Sequence, residues 1–324
     1  MRRLIDAIVA NVRRAGLDHG EWSAEDLAQL ADLQERFIVA GAEHLERSHN
    51  PARWLQYGLR FQHDDQRIAF LAGPLRKFVR KWLSGAGADR FFFMAKPPGL
   101  RLRFRGRMLE RTLGPALQRL LERERQAGRL AGYEPGIYDM ETYQFGGQVG
   151  LEIAHEFATY DSVAILDLLS HRTAADLLPL LSLTVLNDLA KRLCEDGWEL
   201  WDAWRSLELA QRSLSPDAVA SPAVSASFEE QRELVEQSLS RPDVIQGQLP
   251  ARIRRVVVSY FDNNARVAER LAAAARSGEL LYGVRKIFPF YVVFHWNRWL
   301  ISREMQLTLT YFMQRLLDPK RAEP

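Results

Sequence analysis

The sequence predicts an α+β fold: a split βαββαβ unit forming a four-stranded antiparallel sheet, preceded by helices and followed by a largely helical second half. Three observations carry this. Residues 53–105 alternate between period-2 apolar runs and a helical run, the order strand, helix, strand, strand, helix, strand is complete by residue 147, and helical spacing then holds almost to the end. The expected boundaries are 1–50 for the amino-terminal helices, 51–147 for the sheet subdomain and 148–324 for the helical subdomain, whose Ser/Pro/Ala-rich stretch 213–227 reads as a loop.

Each element has a local reason. Leu27, Leu30, Leu33, Phe37 and Val39 recur at helical spacing after Ser23, with Glu25 and Asp26 in the first turn, so residues 1–50 read as two helices. Leu55, Tyr57, Leu59 and Phe61 alternate with polar residues and predict a strand. His63-Asp64-Asp65 then starts a helix that stops at Ser84-Gly85. Arg90–Lys96 and Leu100–Arg105, joined by Lys96-Pro97-Pro98-Gly99, predict a hairpin. A helix over 108–126 ends at Gly128, and residues 133–145 read as extended chain before Gly146-Gly147.

Composition narrows the function. At 324 residues, 47% hydrophobic and 26% charged, the chain can bury a sizeable core, which excludes disorder and small disulfide scaffolds. Its apolar stretches, such as 288–294, fall far short of the roughly 20 residues that span a bilayer. No secretory signal is read in the amino terminus, and the single cysteine, Cys194, can form neither an internal disulfide nor a Cys-x-x-Cys site, so a cytoplasmic location is expected. The net charge is +3, and only six of the 44 basic residues are lysine. That bias is read as codon composition rather than DNA recognition, which calls for a larger, clustered excess.

Two constellations could carry chemistry. In Leu100-Arg101-Leu102-Arg103-Phe104-Arg105 the apolar residues share one strand face and the arginines the other. The pattern favours a solvated face, with a carboxylate- or carbonyl-binding face as the alternative. Tyr291, His295 and Arg298 share one face of a very apolar helix, which makes His295 either a satisfied core residue or part of a site. Metal binding finds little support in the spacing of the seven histidines. There is no Gly-x-Ser-x-Gly and no Walker loop, and the glycines at 146, 147 and 150 are too few for a dinucleotide fingerprint.

Taken together, Trp54-Leu55-x-Tyr57, Phe91-Phe92-Phe93, the run from Pro98 to Phe104, Tyr133-Glu134-Pro135, Phe145-Gly146-Gly147 and His295-x-Asn297-Arg298 resemble, over residues 53–317, the small LanB-like, thiopeptide-type bacteriocin biosynthesis proteins. The resemblance implies a relative of the glutamate-elimination domain of lanthipeptide dehydratases. Two activities are implied: elimination of glutamate from glutamylated Ser/Thr to give dehydroalanine, and formation of the thiopeptide pyridine from two dehydroalanines. The eliminases carry an arginine before the aromatic-Gly-Gly, where this chain has Gln144. They also show Arg-Tyr and His-Met where this chain has Ala95-Lys96 and Val293-Phe294. Losing carboxylate-binding groups on a retained scaffold points to a substrate without a glutamyl group, hence to pyridine formation.

On that reading Tyr291 and His295 transfer protons, and Tyr143 and Gln144 orient amides. Substrate binding falls to Arg101, Arg103, Lys96, Asn297 and Arg298, with Asp188 as a further acid or a helix-surface residue. No cofactor or metal is implied. The implied partner is a ribosomally made precursor peptide, whose leader residues 1–50 are expected to contact, possible association with other maturation enzymes being a further implication. The alternatives are a glutamate eliminase and a non-catalytic precursor-binding protein.

Overall fold

In this computed structural model the described residues are 6, 9, 10, 23–49, 53–85, 87–96, 99–107, 109–171, 176–214, 222–241 and 246–322. The chain divides into two compact units, Met1–Arg53 with Gly106–Met108, and Trp54–Arg105 with Leu109–Pro324. In the first, α1 (Ala24–His49) starts at Ser23, whose Oγ accepts from the Asp26 N–H while Asp26 Oδ2 accepts from the Ser23 N–H, a reciprocal cap. The other helix predicted in this region lies almost wholly outside the described residues.

The second unit contains the expected sheet. Strands β1 (Arg53–Arg60), β2 (Arg90–Lys96), β3 (Gly99–Gly106) and β4 (Gly132–Gly136) lie in the order β2-β3-β1-β4. β2 pairs antiparallel with β3, Phe91 opposite Phe104 and Phe92 opposite Arg103, and β1 pairs antiparallel with β4. Residues opposite each other share a face. Phe91, Phe93, Leu102, Phe104, Tyr57 and Leu59 therefore form one buried face. It is covered by α2 (Asp64–Phe70), α3 (Arg76–Ser84) and α4 (Leu113–Gln126); Phe78 meets Phe104 edge-on at 5.8 Å and Gln118 donates to the Tyr57 hydroxyl. Between α2 and α3 a π-turn over Leu71–Leu75 absorbs Pro74, which has no N–H for the regular ladder.

The helical half comprises α5 (Gln148–Leu169), α6 (Leu178–Leu193), α7 (Gly197–Leu214), α8 (Pro222–Ser240), α9 (Ala251–Arg276), α10 (Val284–Arg298) and α11 (Arg303–Leu316). Helix α5 runs along the open edge of β2, where Thr159 Oγ1 and Ser162 Oγ accept from the Phe91 and Phe93 N–H groups. Among the described residues no helix is long and apolar enough to cross a membrane.

Three boundaries differ from the sequence expectation. The last strand ends at Gly136 instead of continuing to 145, because Pro135 and Gly136 stop it and the chain turns instead. Helix α4 begins at Leu113 rather than 108, Pro115 sitting in its first turn, where a missing N–H costs nothing. The stretch 213–227 is not all loop: α8 starts at Pro222, with alanines continuing the helix, while 215–221 lie outside the described residues.

The Phe145-Gly146-Gly147 motif is explained by backbone geometry. Gly146 and Gly147 have φ of 78° and 101°, and the Gly146 carbonyl accepts from the Leu281 N–H. A Cβ on Gly150 would lie 1.7 Å from the Phe145 carbonyl oxygen. Gly150→Ala should therefore lower stability by about 2–4 kcal/mol in urea unfolding, and an unchanged midpoint would contradict this packing.

Candidate active site

The second face of the sheet is where the arginines of β3 point, and it is not a solvated face. Arg103 is only 3% exposed. Its Nε donates to Gln56 Oε1 at 2.7 Å, and its guanidinium lies 4.0 Å from the Tyr138 ring centroid and 5.1 Å from that of Phe92. One nitrogen, Nη1, is buried without a hydrogen-bond partner. Burial lowers the Arg103 pKa, against the Glu141 carboxylate, which raises it. Arg105 is fully engaged, donating to both oxygens of Glu152 and both of Asp89. The expectation of a solvated arginine row is corrected for a physical reason: the 137–147 segment and α5 bring an aromatic ring and a carboxylate onto these guanidiniums.

Above this face lies a cavity of about 10 Å³, room for a single water, lined by Phe92, Tyr138, Phe145, Ala154, His155, Phe157, Ala158, Tyr291, Phe294 and Arg298. Its walls are aromatic, and its polar groups are two phenols, one imidazole and one guanidinium. The Tyr138 hydroxyl is 2.9 Å from His155 Nε2. His155 Nδ1 is buried with no hydrogen-bond partner; Glu152 Oε1, at 3.8 Å, is too far. Burial lowers the His155 pKa, opposed by Glu152, and raises the Tyr138 pKa. The Glu152 carboxyl is held at about 2 by His155 and Arg105 against burial. The Tyr291 hydroxyl is also buried with no partner, and its pKa is raised by burial. Unsatisfied buried donors are costly, about 1–3 kcal/mol each, and are rare without a purpose.

Beneath the cavity a buried charge cluster centres on Asp161 of α5, at 0% exposure. Oδ1 accepts from the Tyr260 hydroxyl at 2.8 Å and the Trp299 indole N–H at 2.6 Å, and lies 2.8 Å from His295 Nδ1. Oδ2 accepts from Arg298 Nε. On the other side of the imidazole, His295 Nε2 is 2.9 Å from Ser182 Oγ, which accepts from the Trp296 indole. With the Nδ1 proton on the Asp161 carboxylate and burial disfavouring a second proton, Ser182 donates to Nε2. The network therefore assigns a neutral His295 carrying its proton on Nδ1. Burial would raise the Asp161 pKa, but His295 and Arg298 overcome it and hold the carboxyl at about 2; burial lowers the His295 pKa, against the pull of Asp161. A Schellman turn fixes Trp299, the Ile301 N–H bonding the Trp296 carbonyl, with Leu300 at φ 59°.

The residues expected at the site separate accordingly. Tyr291 and Arg298 line the cavity, and Arg103 stacks on two of its walls. His295 is wholly buried behind it with both ring nitrogens engaged. Tyr143 is 75% exposed beside Tyr282, and Gln144 is half-buried in the same turn; the member of that segment on the cavity wall is Phe145. Arg101 is half-buried and Lys96 exposed at the end of β2. Asn297 accepts from Gln306, and Asp188 is held by Arg192 and Asn264, away from the cavity lining. The sequence reading missed Asp161, Tyr138, His155 and Glu152. Asp161 and His155 did carry a signal: both are ionisable residues on a helix apolar on nearly every side. Among the described residues no group of three or more His, Cys, Asp or Glu could hold a metal.

Fold and cavity together define an α+β protein in which a helical half closes over an arginine-bearing sheet face. The family model of the lantibiotic biosynthesis dehydratase C-terminal region matches residues 54–317, and the chain belongs to that family. Solved structures similar to it include the tRNA-dependent lantibiotic dehydratase MibB from Microbispora sp. 107891, at 21% identity and a TM-score of 0.61, over 82% of this chain and 28% of that one. This chain thus spans little more than a quarter of MibB. TsrL is similar at 16% identity and a TM-score of 0.59, over 83% of this chain and 95% of TsrL. The pyridine synthase TbtD from thiomuracin biosynthesis is similar at 14% identity and a TM-score of 0.60, over 82% of this chain and 97% of TbtD. No curated protein sequence matches significantly. At these identities the likeness is one of fold.

The charge cluster sets a pH dependence. His295 and His155 have pKa values lowered by folding, so the unfolded chain binds more protons below the ordinary histidine value of 6.5, and stability falls as pH falls through that range. Asp161 adds a second loss as pH drops from its unfolded value of 3.8 toward about 2. The melting temperature should decline below pH 6.5, and His295→Asn should flatten that limb while lowering the plateau. Asp161→Asn, which leaves Arg298 buried without its counter-charge, should cost about 3–5 kcal/mol in urea unfolding.

Proposed function

We propose that this protein is a peptide-maturation enzyme of thiopeptide type that builds a pyridine from two dehydroalanines of a ribosomally made precursor. The observation that carries the reading is the chemistry of the cavity lining: aromatic rings with the unpartnered Tyr291 hydroxyl and His155 Nδ1, and no Ser, Cys, Thr or Lys on the wall. The cavity as it stands has room for about one water, so substrate enters only as the half-buried Tyr138 and Phe294 move aside. Of the side chains that serve as covalent nucleophiles only its histidine and tyrosines are present. A cycloaddition needs none. One dehydroalanine, with its neighbouring amide in the imidic-acid form, acts as the 2-azadiene and the second as the dienophile; water then leaves, followed by the leader as a carboxamide, and the ring becomes aromatic. Holding the two alkenes face to face supplies most of the acceleration. The protein's remaining task is to move protons to and from amide oxygen and nitrogen.

In this proposal Tyr291 donates to the amide oxygen that departs as water, and the Tyr138–His155 pair takes and returns the proton of the amide nitrogen. Arg298 and Arg103 hold peptide carbonyls, and the rings of Phe92, Phe145 and Phe294 flank the planar dehydro residues. His295 is a positioning residue: through Asp161 it fixes Arg298. Gln144 in place of the eliminase arginine supports a substrate without a carboxylate. Residues 1–50 are proposed to contact the leader. A second reading, glutamate elimination, is favoured by one observation, the unpartnered Nη1 of Arg103, which could take a glutamyl carboxylate.

Incubation with a leader-bearing peptide containing two dehydroalanines, and separately with a glutamylated one, distinguishes these by mass spectrometry. Loss of water and leader carboxamide from the first is expected; loss of glutamic acid from the second alone would replace this reading with elimination. Tyr291→Phe and His155→Asn should each reduce turnover by about 10²-fold or more with circular dichroism unchanged, and wild-type rates in both would remove the proton-transfer assignment.

A further inference from the structure

A second concavity, separate from the cavity lining, lies at the other end of α5. This groove, of about 700 Å³, is lined by Arg76 and Arg80 of α3, Asp167 and His171 at the end of α5, and Arg252 and Arg255 of α9. Its charge is lopsided. The one carboxylate among these residues, Asp167, is shared between Arg76 Nε and Arg80 Nη2 at 2.6 Å each, so the four arginines exceed it by three positive charges. Arg252 and Arg255 are exposed and have no ion-pair partner among the described residues.

The placement of these arginines opposes local electrostatics. Arg252 stands in the first turn of α9, which contains no acid, and Arg255 at the start of the next, near the positive end of the helix dipole, which disfavours cations. Arg254 beside them has a structural use, donating to the Gly247 and Leu249 carbonyls; Arg252 and Arg255 have none. Arg76 and Arg80 likewise form a like-charge pair one turn apart. A cluster assembled from two helices against these costs fits an anionic ligand.

We propose that this groove binds a negatively charged segment of the peptide substrate. The identity of the ligand rests on the function proposed above; the groove itself does not. A peptide is favoured over a nucleic acid because the chain, with 44 basic and 41 acidic residues, lacks a large basic excess. A second basic concavity, lined by Lys77, Lys81, Arg119, Arg123 and Arg129, also holds Glu122 and Glu124, each paired with an arginine. Tyr160, Val163 and Val256 also line the groove beside the charges and suit apolar side chains. His155 at the cavity and Asp167 at the groove are twelve residues apart on one helix, about 18 Å, a distance five or six residues of extended peptide would cover. An acidic anchor there would raise the effective concentration of the reacting residues at the cavity.

The test is fluorescence anisotropy with a labelled peptide of about 12 residues rich in Asp and Glu, a Gln/Asn counterpart, and a single-stranded RNA of similar length, at salt from about 50 to 300 mM. The acidic peptide should bind, weaken with salt, and lose at least about tenfold in affinity in R252E/R255E. The charge-matched R119E/R123E, in the other basic concavity, between α3 and α4, should bind as wild type. Equal binding by both variants, or no preference over the Gln/Asn peptide, overturns the proposal; tighter binding of RNA with the same loss in R252E/R255E overturns it in favour of a phosphate backbone. Tyr291→Phe should leave this affinity unchanged. Groove binding without pyridine product would sink only the reaction, and product without groove binding only the groove.

Discussion

The architecture of the site depends on one buried carboxylate. Asp161 accepts hydrogen bonds from an arginine, a tyrosine and a tryptophan and pairs with a histidine, gathering α9, α10 and the turn after α10 onto α5. Burying that charge unpaired would be prohibitive, and burying Arg298 unpaired equally so. Each therefore requires the other, and the pair determines where α10 sits. That position in turn sets Tyr291, one face of the same helix, against the cavity.

The sheet makes a matching demand. A split βαββαβ unit has both of its helices on one face, so the other face must be covered by something else or left wet. Here α5 caps the edge of β2 through Thr159 and Ser162, while the segment after β4 lays Tyr138 over Arg103. The chamber between the two halves is therefore a consequence of how the second sheet face is closed. Its unsatisfied atoms, Tyr291 Oη and His155 Nδ1, and the Arg103 Nη1 behind its wall, are the groups a polar substrate would satisfy.

Much of this was legible in the residues and some was not. Period-2 runs and glycine and proline turns located all four strands and the hairpin, because those signals are local. The shared face of Tyr291, His295 and Arg298 was equally visible from helical spacing. What spacing could not supply was partners. Asp161 lies 134 residues from His295, and no local pattern links them, so spacing left His295 open between a satisfied core residue and a site residue, and its partners show it saturated. The arginine row misled for the same reason: alternation tells which way side chains point, not what covers them. Tyr138 and His155 were missed because residues 133–145 were read as extended chain, which would have sent the side chains alternately to two faces, and because His155 was weighed only as a metal ligand.

The central claim is that the aromatic chamber between sheet and helices is where the chemistry occurs. A crystal structure of the protein with a pyridine-containing product peptide tests it most directly. The account predicts the ring against Phe92 and Phe145, with Tyr291 Oη within hydrogen-bonding distance of a ring substituent or nitrogen and Arg298 on a peptide carbonyl; a ring bound elsewhere, with the chamber unchanged, would contradict it.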